Sequence, residues 1–387
     1  MVGILKEVAI YIYMLAVKIT GCLARIFPVK QKVVLLVSFP ENSTAIIKQM
    51  NEMKVTPKTV VFYDPRVDVT GFNFDFIQLK PKKIKHFISL MFHLNTAKVV
   101  ITDNYFVELA GLKERKNVTC IQIWHANGAL KKFGWEDKAA QKRSARDKKR
   151  FQEVYRCFSK VLVGSDEMAA IFQRSFLLED SHMLKLGIPR TDNFFNQQQL
   201  KENAERTNTK LHLSNKKKLL YAPTFRDEEL HSTTLHLDIA KMKQALGNEY
   251  QLILKLHPSI SNDLDEVVDD FVVYADKETP IETILPAVDI LITDYSSIPF
   301  EFALLEKPMI FFTYDLEEYD KARGLSDGFL ATIPGPFVHT TEELIQLIEQ
   351  EAFDLEMVRA FAAKWNKYSD GHSSERFVSF LKEQLEK

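Results

Sequence analysis

Short apolar runs rich in β-branched residues alternate along this chain with stretches of helical pattern, and no other feature restricts the fold as much. In the first half the runs are residues 33–37, 59–63, 99–102, 119–123 and 161–163. In the second they are residues 219–222, 252–256, 272–274, 290–293 and 309–313. A strand that is apolar on both faces must be covered on both, which is the pattern of parallel sheets joined by helical crossovers. Residues 196–218 (NQQQLKENAERTNTKLHLSNKKK) are polar and read as a domain junction carrying one solvated helix. KVVITDNY and DILITDYSS, one in each half, both end an apolar strand in Thr-Asp. The expected fold is α/β, with two Rossmann-like domains facing across a cleft. The expected boundaries are an N-terminal segment 1–30, a first domain 31–195, a linker 196–216 and a second domain 217–387. The last helix of that second domain is free to pack back on the first. Ligands of such sheets bind beyond the carboxyl ends of strands, so strand ends are where function is sought.

Composition narrows the function classes. A chain of 387 residues exceeds the roughly 100–200 of one domain. Its net charge of -1 leaves no global basic excess for nucleic acid, so any such argument must be local. Cys22, Cys120 and Cys157 are too few and too scattered for a disulfide framework or a zinc cluster, which fits a reducing compartment. At the N-terminus the uncharged apolar run covers only residues 8–17, short of the roughly 20 needed to span a bilayer. Lys6, Lys18, Arg25, Lys30 and Lys32 stand there against Glu7. An apolar helix with basic flanks reads first as lying in a membrane interface. Packing on the protein's own first domain is the second reading, and a true span the third. Residues 138–150 (KAAQKRSARDKKR) carry seven basic residues and one acid. As a solvated helix they are unremarkable; as a lipid contact, Lys142, Arg143, Arg146, Lys149 and Arg150 face anionic headgroups. No aromatic residues interleave them, which disfavours nucleic acid.

Five strand ends are rich in chemistry. The first is Trp124-His125-Ala126-Asn127-Gly128, followed by Lys131 and Lys132. The second presents Arg190 in a Gly-Ile-Pro-Arg turn, the third is Pro223-Thr224-Phe225-Arg226, and the fourth Lys255-Leu256-His257-Pro258. The fifth, Asp294-Tyr295-Ser296-Ser297, enters a helix that carries Glu301. Each alone has a plain structural reading: a cap, a surface ion pair or an inert histidine. Together they place cations and free amides about a phosphate, with Lys255 and His257 on one face of a strand and two arginines suited to bidentate contact. The Ser296-Ser297 turn offers hydroxyls at the positive end of a helix dipole. Glu301, one turn in, suits a ribose diol. The glycines form no GxGxxG pattern, and Asp263-x-Asp265 lies in a charged helical stretch, so neither a dinucleotide nor a metal is called for. A neutral histidine of ordinary pKa ~6.5 suits removal of a proton from an attacking hydroxyl, which makes His125 the candidate base. His257, Arg226 and the Ser296-Ser297 turn are candidates for holding charge on the leaving group.

WHANGALKKFG, GIPRTD, YAPTFR, KLHPSI and DYSSIPFE, in that order, resemble the CDP-glycerol glycerophosphotransferase family of Gram-positive wall teichoic acid synthesis. The likeness runs from about Val33 to the C-terminus, and Trp-His-Ala-Asn-Gly replaces the commoner Trp-His-Gly-Thr-Pro. That departure, with the short length, is similar to the branch that adds the first glycerol phosphate. The resemblance implies a GT-B-type fold and a metal-independent reaction with no cofactor. It implies CDP-glycerol as donor and an undecaprenyl-diphosphate-linked N-acetylmannosaminyl-N-acetylglucosamine as acceptor, with release of CMP. It also implies His125 as base, and Arg190, Pro223, Thr224, Lys255, His257, Ser296, Ser297 and Glu301 at the donor. The expected location is peripheral, on the cytoplasmic face of the membrane, with other teichoic acid synthesis enzymes as candidate partners. Addition of later glycerol phosphates, a sugar-nucleotide transferase or epimerase of the same layout, and a non-enzymatic nucleotide-binding scaffold are the alternatives.

Overall fold

The computed structural model describes residues 2–64, 74–80, 83–112, 115, 117–224, 235–256, 269–326 and 328–387. It divides into two compact units. The first comprises Met1–Ala126, Phe133–Asp192 and Lys367–Lys387, and the second Asn127–Lys132 and Asn193–Asn366.

The first unit is built on β1 (Lys30–Val37), β2 (Lys58–Tyr63), β3 (Asp75–Gln78), β4 (Ala97–Thr102), β5 (Thr119–Gln122), β6 (Lys160–Val163) and β7 (Met183–Lys185). They form one sheet in the order β3-β2-β1-β4-β5-β6-β7, with every pairing parallel. Val33–Val37 and Val99–Ile101 are buried throughout, as strands covered on both faces must be. Helices α1 (Val2–Ala24), α2 (Pro40–Glu52) and α3 (Ile84–Thr96) belong to this unit. So does the last helix, Ser373–Glu386, which adds Phe377, Val378 and Leu381 to the core.

The second unit holds β8 (Lys217–Tyr221), β9 (Tyr250–Leu254), β10 (Val272–Tyr274), β11 (Ile290–Thr293), β12 (Met309–Phe312) and β13 (Phe337–Val338). This sheet is also wholly parallel, in the order β10-β9-β8-β11-β12-β13. In both sheets the chain starts at a central strand, winds outward to one edge, and returns to the other side of that strand. The order therefore reverses between β1 and β4 in one unit, and between β8 and β11 in the other.

Three expectations change. Residues 196–216 are no linker: helix Gln197–Lys210 belongs to the second unit, buries Asn203 and Thr207, and ties Thr207 Oγ1 to the Thr283 carbonyl at 2.7 Å. Residues 138–150 are not one helix. Lys138–Gln141 ends at Lys142, and Ala145–Tyr155 begins afresh on Ser144, whose hydroxyl caps the Asp147 amide. The N-terminal helix is 23 residues long and extends well beyond the uncharged run of residues 8–17, which by itself is too short to span. Its residues Glu7–Ala24 are long and apolar enough, by length and composition, to cross a membrane.

One face of α1 is nonetheless committed to the first unit. Val17 is fully buried, Tyr13 donates to Glu108 at 2.5 Å, and Lys18 pairs with Glu153 at 2.8 Å. Gly21 lies against Gly111 so closely that a Cβ there would sit 2.3 Å from the Gly111 carbonyl oxygen. Substituting Gly21 with leucine should therefore cost about 1–3 kcal/mol, the usual penalty of overpacking. Urea unfolding measures this; wild-type stability would mean that α1 does not dock on Gly111.

Candidate active site

Strand β5 ends at Gln122, and the next three residues form the core of the first unit's candidate site. Trp124 adopts a left-handed backbone (φ 54), a conformation that costs a non-glycine residue about 1–3 kcal/mol and persists only where its surroundings impose it. They do. Buried Gln122 accepts the Trp124 amide proton at 2.8 Å, and buried Asn42 donates to the Ile123 and Trp124 carbonyls at 3.3 and 3.1 Å. The turn delivers His125 in a fixed orientation. Its ring stacks on Trp124 at 4.3 Å and on Phe39 at 4.5 Å. Trp124 in turn rests on Phe133, Phe172 and Phe176.

The His125 Nδ1 lies 3.2 Å from the Asp103 carbonyl. A carbonyl only accepts, so Nδ1 carries the proton and Nε2 keeps its lone pair. Burial lowers the imidazole pKa below its ordinary value. The Asp103 carbonyl and the Glu41 carboxylate oppose that shift, and the Arg190 guanidinium adds to it. The result is a neutral ring with a basic Nε2, which is the form a general base requires.

The residues that hold this histidine come from four strand exits. Asp103, directly after β4, accepts the Ser38 and Phe39 amides on Oδ2 at 2.7 Å each, while its Oδ1 is buried without a partner. Burial raises its carboxyl pKa to about 7, against the pull of those amides. Arg190, expected at the donor phosphates, donates to the His125 carbonyl at 3.2 Å, approaches Glu41 at 4.0 Å, and gives its amide proton to Asn42. It is therefore part of the frame of the histidine turn. Phe39, Glu41, Asn42, Asp103 and Gln122 were not singled out as site residues. The one sequence signal for any of them was the Ile-Thr-Asp echo at Asp103.

In the second unit, Pro223 and Thr224 follow β8 and stay partly exposed, and the Thr224 amide donates to Asp294 at 2.8 Å. Ser296 and Ser297 follow β11. The Ser296 hydroxyl accepts the Ile298 amide at 3.1 Å, and Ser297 is exposed with no capping bond. The helix they open, Ile298–Phe302, has only five residues, so it offers less of a dipole than expected. Glu301 lies on it and is buried. Lys255 is not the free cation expected: its ammonium donates to the carbonyls of Asp276 and of Thr279, the latter at 2.7 Å, and burial lowers its pKa. Arg226 and His257 lie outside the described residues. Among the described residues no group of three metal-ligating side chains comes together.

Ala126 ends the first stretch of unit one, while Asn127 to Lys132 fold with unit two. Asn127 was expected to meet substrate, yet its side chain is buried and donates to Asn366 at 2.7 Å, and Asn366 donates to the Phe300 carbonyl at 2.9 Å. Gly128 lies over the Phe300 ring, where a Cβ would come within 2.6 Å. Lys131 bridges Leu325, and the Lys132 amide reaches the Gly324 carbonyl at 3.0 Å. Both Asn127 and Gly128 thus act in packing.

A family model described as CDP-Glycerol:Poly(glycerophosphate) glycerophosphotransferase matches residues 20–383. The teichoic acid glycerol-phosphate primase of Bacillus subtilis (strain 168) is 41% identical over 360 residues, covering 91% of this chain and 92% of that protein. The glycerol-phosphate primase of Bacillus spizizenii (strain ATCC 23059 / NRRL B-14472 / W23) is 36% identical over 386 residues, covering 97% and 98%. Among solved structures, the wall teichoic acid polymerase TagF shares the fold at a TM-score of 0.81 and 22% identity, covering 99% of this chain and 96% of that one. The chain belongs to the CDP-glycerol:poly(glycerophosphate) glycerophosphotransferase family and is a CDP-glycerol glycerophosphotransferase of teichoic acid synthesis.

Proposed function

We propose that this enzyme moves one glycerol phosphate from CDP-glycerol to a hydroxyl of undecaprenyl-diphosphate-linked N-acetylmannosaminyl-N-acetylglucosamine, releasing CMP. The observation that carries the priming step is the likeness, along nearly the whole of both chains, to glycerol-phosphate primases. In the reaction the acceptor oxygen bonds to the phosphorus that bears glycerol, and the bond from that phosphorus to the oxygen of CMP breaks. The hydroxyl proton passes to Nε2 of His125, and the electron pair of the broken bond leaves with CMP. The chain's contribution to the first half of this step is a neutral imidazole held by Asp103, Phe39 and Trp124. Pro223-Thr224 and Ser296-Ser297 take the donor, with Arg226 and His257 meeting the charge that develops on CMP.

We also infer a peripheral seat on an anionic membrane surface. The face of α1 opposite its docked side exposes Leu5, Val8, Ile12, Leu15, Ile19 and Leu23 at helical spacing. Spanning a bilayer would cost the Tyr13–Glu108, Lys18–Glu153 and Gly21–Gly111 contacts, whereas lying along its surface keeps them. Lys142, Arg143, Arg146 and Lys149 are exposed and suit anionic headgroups. Arg150 is half-buried and paired with Asp147 and Glu7, so it supports this surface from within.

Two measurements test these readings. With purified protein, CDP-glycerol and synthetic lipid-linked disaccharide, His125→Ala should lose about 10²–10⁴ in kcat. Near-wild-type turnover would remove His125 as base, and activity only on a disaccharide already carrying glycerol phosphate would replace priming with a later addition. On anionic vesicles, the Leu15→Glu/Ile19→Glu double variant should bind at least about tenfold more weakly, given the apolar area withdrawn from lipid. Unchanged co-sedimentation would exclude α1 as the contact.

A further inference from the structure

The Ile-Thr-Asp echo between the two halves of the sequence has a three-dimensional counterpart. Thr102-Asp103 closes β4 and Thr293-Asp294 closes β11. Each of these strands lies beside the first strand of its unit, where the strand order reverses. Both aspartates are fully enclosed, Asp103 at 0% and Asp294 at 1% exposure. Each spends its carboxylate on the main chain that leaves the neighbouring central strand. Asp103 takes the Ser38 and Phe39 amides beyond β1, and Asp294 takes the Thr224 amide beyond β8 together with that of Tyr295 at 2.6 Å.

What hangs from each bond differs. Phe39 carries the ring that stacks on His125, and the Asp103 carbonyl accepts a hydrogen bond from His125 Nδ1–H. In the second unit the Thr293 hydroxyl donates to the Ala222 carbonyl at 2.7 Å while Asp294 holds Thr224, so the Thr-Asp pair grips the Ala222-Pro223-Thr224 turn at both ends. A carboxyl oxygen fixes the amides that donate to it, and losing it leaves partly buried N–H groups without that acceptor.

We propose that Asp103 and Asp294 are a matched pair of positioning residues: Asp103 sets the base through Phe39 and its own carbonyl, and Asp294 sets the donor turn through Thr224. This rests on the assignment of His125 as base and of the Pro223-Thr224 turn to the donor. A purely structural role would lower stability in both variants without sorting their kinetic effects. A positioning role sorts them.

The test uses the full chain, steady-state rates with CDP-glycerol varied at saturating lipid-linked disaccharide, and calorimetric titration of CDP-glycerol without acceptor. Asp103→Ala should lose about 10- to 100-fold, and the loss should fall in kcat. Asp294→Ala should raise KM and the calorimetric Kd for CDP-glycerol by about tenfold or more. Asp103→Asn and Asp294→Asn, which keep an oxygen for the amides, should each recover most of the loss. If Asp103→Ala does not fold, Phe39→Leu carries the same arm, and an unchanged kcat overturns it. Losses on the same parameter for both aspartates, or asparagine variants no better than alanine, also overturn the pairing. The calorimetric arm needs no turnover, so a failure of His125 as base, seen in His125→Ala, is read separately from a failure at Asp294.

Discussion

In a parallel sheet covered on both faces, the main chain can leave its hydrogen-bond ladder in contact with a ligand at one place, the carboxyl edge where the strand order reverses. There the exits of two neighbouring strands part, and the first amides beyond each strand lose their ladder partners while still partly buried. Such amides need an acceptor from elsewhere. Both units meet that need with an aspartate at the end of the adjoining strand, Asp103 for the exit of β1 and Asp294 for the exit of β8. The same side chains that complete the sheets therefore shape the turns to which we assign the chemistry, so fold and proposed site share one set of bonds.

The site's second constraint is strain held in place. Trp124 occupies a left-handed conformation because Gln122 and Asn42 satisfy its amide and carbonyl there and an aromatic cluster holds its ring. That conformation turns the chain sharply at the strand end and brings the His125 ring onto both Trp124 and Phe39. Helix α1 is divided in the same way: one face docks on the first unit through Tyr13, Met14, Val17 and Gly21, while Leu5, Val8, Ile12, Leu15, Ile19 and Leu23 stay exposed.

Much of the architecture was legible because buried parallel strands leave a strong mark. All ten apolar runs are strands, and their alternation with helices led directly to two parallel sheets. Three strands went unseen, β3, β7 and β13. Two of them are short and partly exposed edge strands, and β13 has two residues, so none carries a continuous apolar run. The place of His125 just beyond a strand end was legible from the apolar run that leads into it. Its supports were not, because Phe39, Asn42 and Asp103 lie far from it in sequence and only the sheet order brings them near. Asn127 and Lys255 were read as ligand contacts from their position at strand ends. A sequence shows which side chains stand at such an edge, but not which carbonyls close over them, and those carbonyls and amides claimed both residues.

The central claim is that His125 stands as a neutral imidazole, protonated on Nδ1 and basic at Nε2. Nitrogen-15 NMR of histidine-labelled protein, with the His125 resonances assigned by their loss in His125→Asn, reads both nitrogens directly across pH 5–8. Burial holds the pKa below its ordinary value of about 6.5. The ring should therefore remain the neutral Nδ1–H tautomer at pH 6.5 and above, and protonate only below that. An imidazolium at pH 7, or a neutral ring carrying its proton on Nε2, would contradict the assignment of His125 as the base.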